Sequence, residues 1–247
     1  MNPDGPSDKT VWVVKFENLS GEPIALLMNY AVHSVVAGSD NALITGDLAG
    51  AAERFVERQF QDKVVALWTM GPAADQNPKY YRSDMSLGKD ADRAKNRESA
   101  YEAMDVQGQI IGVEVIQTAN RIERMIPVAS IEAAERVVSC PTRPPSAGRG
   151  GADQQLAAMD LRLMLIRINQ IAITGVSGEV VTNIYWHLKK DSPFTNTIMV
   201  TMANDRIGYI ADDANYERVT GVPLARGCAE NAVVNNLVEM MTNGIIR

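Results

Sequence analysis

His33 and His187 are the two histidines of the chain, so any metal site built from this chain alone is short of nitrogen ligands. His33 lies in Met28-Asn29-Tyr30-Ala31-Val32-His33-Ser34-Val35, where an apolar strand stops and a loop begins. Side chains at strand ends project into clefts, so His33 reads as a metal ligand or acid/base group, or as a histidine that is merely hydrogen-bonded. His187 follows Tyr185-Trp186 on an amphipathic stretch, which suits a solvated or capping role. Glu179 follows Gly178 at a strand-to-helix turn. A carboxylate there can be held by helix N-terminal amides while facing a cleft, or can be an ordinary first-turn acid. Asp75-Gln76-Asn77-Pro78 comes after Gly71-Pro72-Ala73-Ala74 beyond a buried strand, which presents polar atoms on a loop or simply makes a turn. Tyr209, in Ala203-Asn204-Asp205-Arg206-Ile207-Gly208-Tyr209-Ile210, is a candidate phenol for chemistry or for the core. Cys140 and Cys228 lack CxxC spacing and read as two partly buried thiols, with one disulfide as the alternative.

The order and wording of these pieces together resemble the neutral, non-lysosomal ceramidases and their bacterial relatives. Asn29-Tyr30-Ala31-Val32-His33 resembles the strand-end histidine motif of that family, and Thr45-Gly46-Asp47-Leu48-Ala49-Gly50 its Gly-Asp-x-x-Gly helix entry. Gly71 to Pro78 is similar to the family's Gly-Ala-Ala-Gly-Asp-x-Ser-Pro loop. Gly175-Val176-Ser177-Gly178-Glu179 is similar to its Pro/Gly-Glu element, and Ala203-Asn204 with Gly208-Tyr209 to its Ala-Asn…Gly-Tyr element, with Tyr216 beyond. The likeness runs from about Asn2 to Met241.

That resemblance implies an α/β fold, a mixed sheet with hairpins and packed helices, forming the C-terminal portion of a larger zinc hydrolase domain. The chain is then one domain over 1–247, with a flexible excursion over 141–154. The implied zinc ligands are His33, Glu179 and Tyr209, with a further histidine supplied by an N-terminal half or partner subunit. The implied reaction is hydrolysis of an N-acyl bond in a small molecule or lipid. Tyr209, Asn77 and Asp75 take the catalytic roles, and Tyr216 and Gln76 contact substrate. Two departures bear on the substrate: Asn77 stands where the family has serine, and Ala74 where it has glycine. An amide side chain can still donate to a carbonyl or oxyanion, so a different amide or ester is the expected target. A non-catalytic binding or structural subunit that keeps the fold is the alternative.

Positioning such groups needs a sheet, and the residue pattern supplies one. Thr10 to Phe16 and Pro23 to Tyr30 are strand-like and flank the turn chemistry of Glu17 to Glu22, giving a hairpin. Leu48, Ala52, Phe55, Val56 and Phe60 fall at helical spacing, Val64 to Met70 is a short strand, and Ala91 to about Ile122 should be the longest helix. Val128 to Val138 alternates, Ala129, Ile131, Ala133 and Val137 standing against Ser130, Glu132, Glu135 and Arg136, as a half-exposed strand does. Leu161 to Ile168 and Ile171 to Ile173 form a second hairpin around Asn169-Gln170. A helix over Val180 to Lys190, a strand over Thr197 to Ala203 and a helix over Cys228 to Met241 complete the pattern.

Bulk properties narrow the function classes. With 46% hydrophobic and 22% charged residues, the 247-residue chain has the composition of a folded soluble domain. Its net charge of -6, with basic residues scattered, argues against nucleic acid as a partner. No apolar run approaches the roughly 20 residues a membrane helix needs, and the polar N-terminus lacks the pattern of a signal peptide.

Overall fold

The computed structural model describes residues 4–38, 41–80, 90–143 and 157–243, with backbone alone for 90–96. Most of the Pro/Gly-rich stretch over 141–154 therefore lies outside the described residues. The chain divides into two compact units. The N-terminal unit comprises Lys9–Met70 and Asn77–Pro127, and the C-terminal unit Val128–Arg247 with Met1–Asp8 and Gly71–Gln76. Each unit carries its own mixed sheet and its own helices, an α/β arrangement as the sequence pattern indicates. Among the described residues no helix is long and apolar enough to cross a membrane.

In the N-terminal unit, β1 (Trp12–Glu17) and β2 (Pro23–Tyr30) form the expected hairpin, and β3 (Val65–Met70) pairs with β2 in parallel. The turn closes because Asn18 Oδ1 accepts the amides of Ser20 and Glu22, both at 2.9 Å, and Gly21 takes φ +82. Helix α1 (Asp47–Gln59) connects β2 to β3, and α2 (Asp90–Asn120) packs on α1. The two helices meet at glycines: a Cβ at Gly108 would lie 2.5 Å from the Ala51 Cβ, and one at Gly112 2.5 Å from the Phe55 ring. Leu26, Met28 and Ala66 from the sheet close a core with Ala52 and Val56 of α1 and Val115 and Ala119 of α2. Strand β3 is an edge, and α1 blunts it. Glu53 Oε1 accepts the Trp68 amide at 2.8 Å and Glu57 Oε1 the Ala66 amide at 3.2 Å. One helix turn separates those carboxylates, which take up amides that would otherwise invite strand pairing.

In the C-terminal unit, β4 (Ile131–Pro141), β5 (Ala158–Ile168), β6 (Ile171–Val176) and β8 (Asn196–Thr201) run in that order across one sheet. The β5–β6 hairpin turns at Asn169, whose φ is +51. Helix α3 (Thr182–Asp191) connects β6 to β8, which pair in parallel, and α4 (Ala229–Asn243) packs on the sheet and on α3. Leu161, Leu163, Leu165, Val176, Ile184, Leu188, Val233 and Leu237 fill the core. Two-residue strands β7 (Glu179–Val180) and β9 (Tyr209–Ile210) pair in parallel beside it. They are too short to show a period in the sequence.

Two sequence expectations change here. Strand β4 is half-exposed as anticipated, but its phase is inverted: Ile131 and Val137 are exposed at 66% and 47%, while Cys140 is fully buried. Inward Arg136 is accommodated by α4, donating to Asn236 Oδ1 at 3.0 Å and pairing with Glu239 at 2.6 Å. Because side chains alternate, fixing Cys140 inward fixes every second residue before it. Cys140 and Cys228, expected as thiols, are joined in a disulfide that closes a separation of 88 residues. The same strand end is tied by Arg143 N to Pro223 O at 2.6 Å and Ala225 N to Pro141 O at 2.8 Å.

Closing a loop of that size restricts the unfolded chain by about 4–5 kcal/mol in the chain-entropy account. The Cys140→Ser/Cys228→Ser variant should therefore unfold at a temperature lower by roughly 10 °C or more. Calorimetry under non-reducing conditions checks this, and a melting temperature equal to that of the parent protein would show the bond contributes nothing.

Candidate functional site

Glu179 is placed by a run of backbone hydrogen bonds rather than by a helix end. The Ser177 amide donates to Arg162 O, the Glu179 amide to Gly208 O at 2.9 Å, and the Val181 amide to Ile210 O at 3.1 Å. From the other side, the Met202 amide donates to Gly178 O, the Ile207 amide to Ser177 O and the Ala74 amide to Val180 O. Such close threading needs glycine at 178, where a Cβ would fall 2.5 Å from Ile210 Cδ1 and 3.0 Å from Gly208 O. Gly208 has φ +104, a conformation that side chains disfavour. The outcome is a parallel bridge with Glu179 and Tyr209 in register. Register partners in neighbouring strands project to the same face, so a carboxylate and a phenol stand side by side.

The Glu179 carboxylate is buried, and Arg206 meets it: Nε and Nη2 both donate to Oε1, at 3.3 and 3.2 Å. A buried carboxylate is costly without a cation or hydrogen bonds, and the guanidinium supplies both. Tyr209 packs against a small apolar cluster of Ala211, Tyr216 and Val222. Within it, the Tyr216 hydroxyl donates to Leu224 O at 2.8 Å and the Arg143 guanidinium covers the ring at 4.7 Å. The phenolic proton of Tyr216 is thus engaged inside the unit.

Asp75, not Glu179, serves the N-terminus of α3. The N-cap residue is Val181, whose side chain makes no cap. Asp75 Oδ1 takes over, accepting the Thr182 amide at 3.1 Å and the Thr182 hydroxyl at 2.8 Å. Gln76 Nε2 donates to the Thr182 hydroxyl at 2.9 Å and to Pro6 O at 2.6 Å. Asn77 begins the N-terminal unit's second segment and is exposed. His187 is half-exposed between Glu230 (3.0 Å) and Asp191 (3.1 Å), consistent with its solvated reading.

His33 belongs to the N-terminal unit, half-buried just past the end of β2. The loop that carries it is fixed by Asp47, a residue with φ +47. The Asp47 carboxylate accepts the amides of Val36 and Ala37, each at 2.8 Å, and of Leu48 at 2.7 Å. Ser34 Oγ adds an acceptor for the Ala49 amide at 2.9 Å. The Gly-Asp-x-x-Gly wording has a structural cause as well: a Cβ at Gly46 would come within 3.0 Å of Gly50 Cα.

Among the described residues, no group of three or more His, Cys, Asp or Glu side chains is gathered to hold a metal ion. The donors that are gathered, the Glu179 carboxylate and the Tyr209 phenol, fit a divalent cation in type, and the carboxylate already faces a cation in Arg206. Two oxygen donors alone fall short of the four ligands that a zinc ion takes. Sequence reasoning missed Arg206, which has no motif signal beyond its place three residues before Tyr209. It also missed Thr182, whose partner Asp75 is distant in sequence, and it named Asp47 by its motif without its hold on Val36 and Ala37.

If Asp75 caps α3, Asp75→Ala should cost about 1–2 kcal/mol in stability, and Asp75→Asn, which keeps an acceptor oxygen, clearly less. Urea unfolding measures both; equal stability of all three proteins would remove the capping role.

No protein-family model matches the chain, and no curated protein matches its sequence. Solved structures do match. Neutral ceramidase from Pseudomonas aeruginosa superposes with a TM-score of 0.71 at 14% identity, over 98% of this chain and 48% of that one. A ceramidase complexed with C2 gives 0.69 at 15% identity, over 97% of this chain and 49% of that one. The chain thus spans about half the length of the ceramidases whose fold it shares, and the fold expected from its motifs is the fold found.

Proposed function

We propose that this chain is part of a single zinc-dependent catalytic domain that hydrolyses an N-acyl bond of a ceramide-like lipid or related amide. The observation that carries the reading is the register pairing of Glu179 with Tyr209 in a chain whose fold is that of the ceramidases. Zinc would be held by Glu179, Tyr209 and His33, the last assigned by its motif, with a further histidine from an N-terminal half or partner subunit. When bound, it supplies Lewis-acid polarisation of the acyl carbonyl and lowers the pKa of water.

The chain's own residues supply the rest. Tyr209 places a phenol where charge develops on the acyl oxygen, a geometry in which a fixed donor is worth far more than in water. Asn77 would offer an amide N–H to a carbonyl or oxyanion, a role the serine of the family loop would fill with a hydroxyl. Asp75 and Gln76 hold the loop before Asn77 through Thr182, and Gln76 with Tyr216 borders the substrate. Tyr216 acts through its ring, its hydroxyl being held by Leu224. The larger amide at 77, with alanine at 74, selects a head group different from that of ceramide.

An assay of fatty-acid release from N-acyl substrates, ceramide included, tests this with the chain alone and with a complementing N-terminal half. Glu179→Gln should lower the rate at least about a hundredfold, since a ligand matters more than the outer-shell partners that cost 10- to 100-fold. Full activity in that variant would overturn the assignment of Glu179, and no hydrolysis by any combination would favour a non-catalytic subunit.

A further inference from the structure

Tyr209 stands in a two-residue strand, far shorter than the strands that usually hold a side chain in place. Its ring is backed by a later stretch of chain. Gly221, with φ +72, lets the backbone run against the phenol: a Cβ there would stand 3.5 Å from Tyr209 Cδ2. A Cβ at Gly208 would meet Gly221 O at 3.3 Å and Pro223 Cδ at 3.4 Å, so residues 221–223 lie across Gly208 and Tyr209. Val222 belongs to the same small cluster as Tyr209 and Tyr216. This backing lies in the long connection between β9 and α4, and the end of β4 holds it. The Arg143 amide donates to Pro223 O at 2.6 Å, the Ala225 amide donates to Pro141 O at 2.8 Å, and Thr142 bridges Leu224. Leu224 O also accepts the Tyr216 hydroxyl at 2.8 Å. Beyond Ala225, Cys228 is bonded to Cys140 of the same strand end. Residues 140–143 and 221–228 thus form a covalently closed clamp, and the clamp carries the backing of Tyr209.

We propose that the Cys140–Cys228 bond and the Tyr216 hydroxyl are positioning groups for the Tyr209 phenol, acting on it through residues 221–225. Their part in catalysis rests on the reading of Tyr209 as the phenol of the reaction. A disulfide restricts the unfolded chain wherever it lies; this one also acts on the folded state. Without it, the segment over Tyr209 is tied to β4 by hydrogen bonds that are weak singly, and the glycine at its tip gives it freedom to leave the ring. A donor to a developing oxyanion is worth most when its place is fixed beforehand. The clamp therefore serves the rate of the chemical step more than the binding of substrate.

NMR of the chain with 13C-labelled tyrosine rings tests this, recorded well below the melting temperature of each variant, with Tyr209→Phe identifying the signal. Cys140→Ser/Cys228→Ser should shift or broaden the Tyr209 and Tyr216 signals. It should leave in place the signal of Tyr185, whose hydroxyl donates to Thr197 O at 2.7 Å in the core. Tyr216→Phe, which keeps the disulfide, should move the Tyr209 signal by less. A bond that only restricts the unfolded chain moves none of these signals, so an unmoved Tyr209 signal in either variant overturns the role assigned to that group. Assayed with a complementing N-terminal half, the disulfide-free chain should lose about tenfold in kcat with KM near that of the parent, the pattern of an interaction made in the transition state. A moved signal with kcat unchanged overturns the role in the reaction. A moved signal with no hydrolysis by the parent supports the clamp and overturns the catalytic reading of Tyr209 alone.

Discussion

A carboxylate that is 3% exposed must be neutralised where it stands, and much of the C-terminal unit is arranged around that requirement at Glu179. The segment from Val176 to Val181 has backbone partners on both sides, from Arg162, Met202, Ala203, Ile207, Gly208, Ile210 and Ala74. That density of contacts excludes a side chain at 178 and leaves Glu179 no freedom to turn toward water. It also fixes the register that brings Tyr209 alongside. The pairing of Glu179 with Tyr209 follows from backbone geometry.

The N-terminal unit solves a comparable problem with another buried acid. Asp47 is 7% exposed and is satisfied by three backbone amides instead of by a cation. It locks the loop after β2 to the start of α1, in a backbone conformation that few residues other than glycine adopt. The helix it starts then lies close to α2 because Gly108 and Gly112 remove side chains from the contact. Its opposite side offers Glu53 and Glu57 to the open edge of β3. One helix thus anchors the histidine loop, packs the core and protects a strand edge.

The first hairpin was legible from its strand-like runs and the second from the alternation of Leu161, Leu163 and Leu165, and Asn18 with Gly21, and Asn169, provide turn chemistry that the structure uses. The helices were legible from spacing, although α3 begins two residues later than its pattern suggests because Glu179 and Val180 pair with β9 first. The phase of β4 was not legible: its apolar set favours one face, and the buried Cys140 decides for the other. A disulfide between residues 88 apart leaves no local trace. Candidate site residues were read through motifs, and the structure adds structural contacts for several of them. Asp75 and Gln76 serve the end of α3, Tyr216 is held by Leu224, and Arg206, carried by no motif, contacts the acid at the centre.

The central claim is that Glu179 and Tyr209 form one face of a metal site. Anomalous diffraction at the zinc edge from crystals grown with zinc tests it most directly. The account predicts a peak at bonding distance from the Glu179 carboxylate and the Tyr209 phenol. No peak beside Glu179 and Tyr209 at saturating zinc, in crystals of the chain with its complementing N-terminal half, would contradict it.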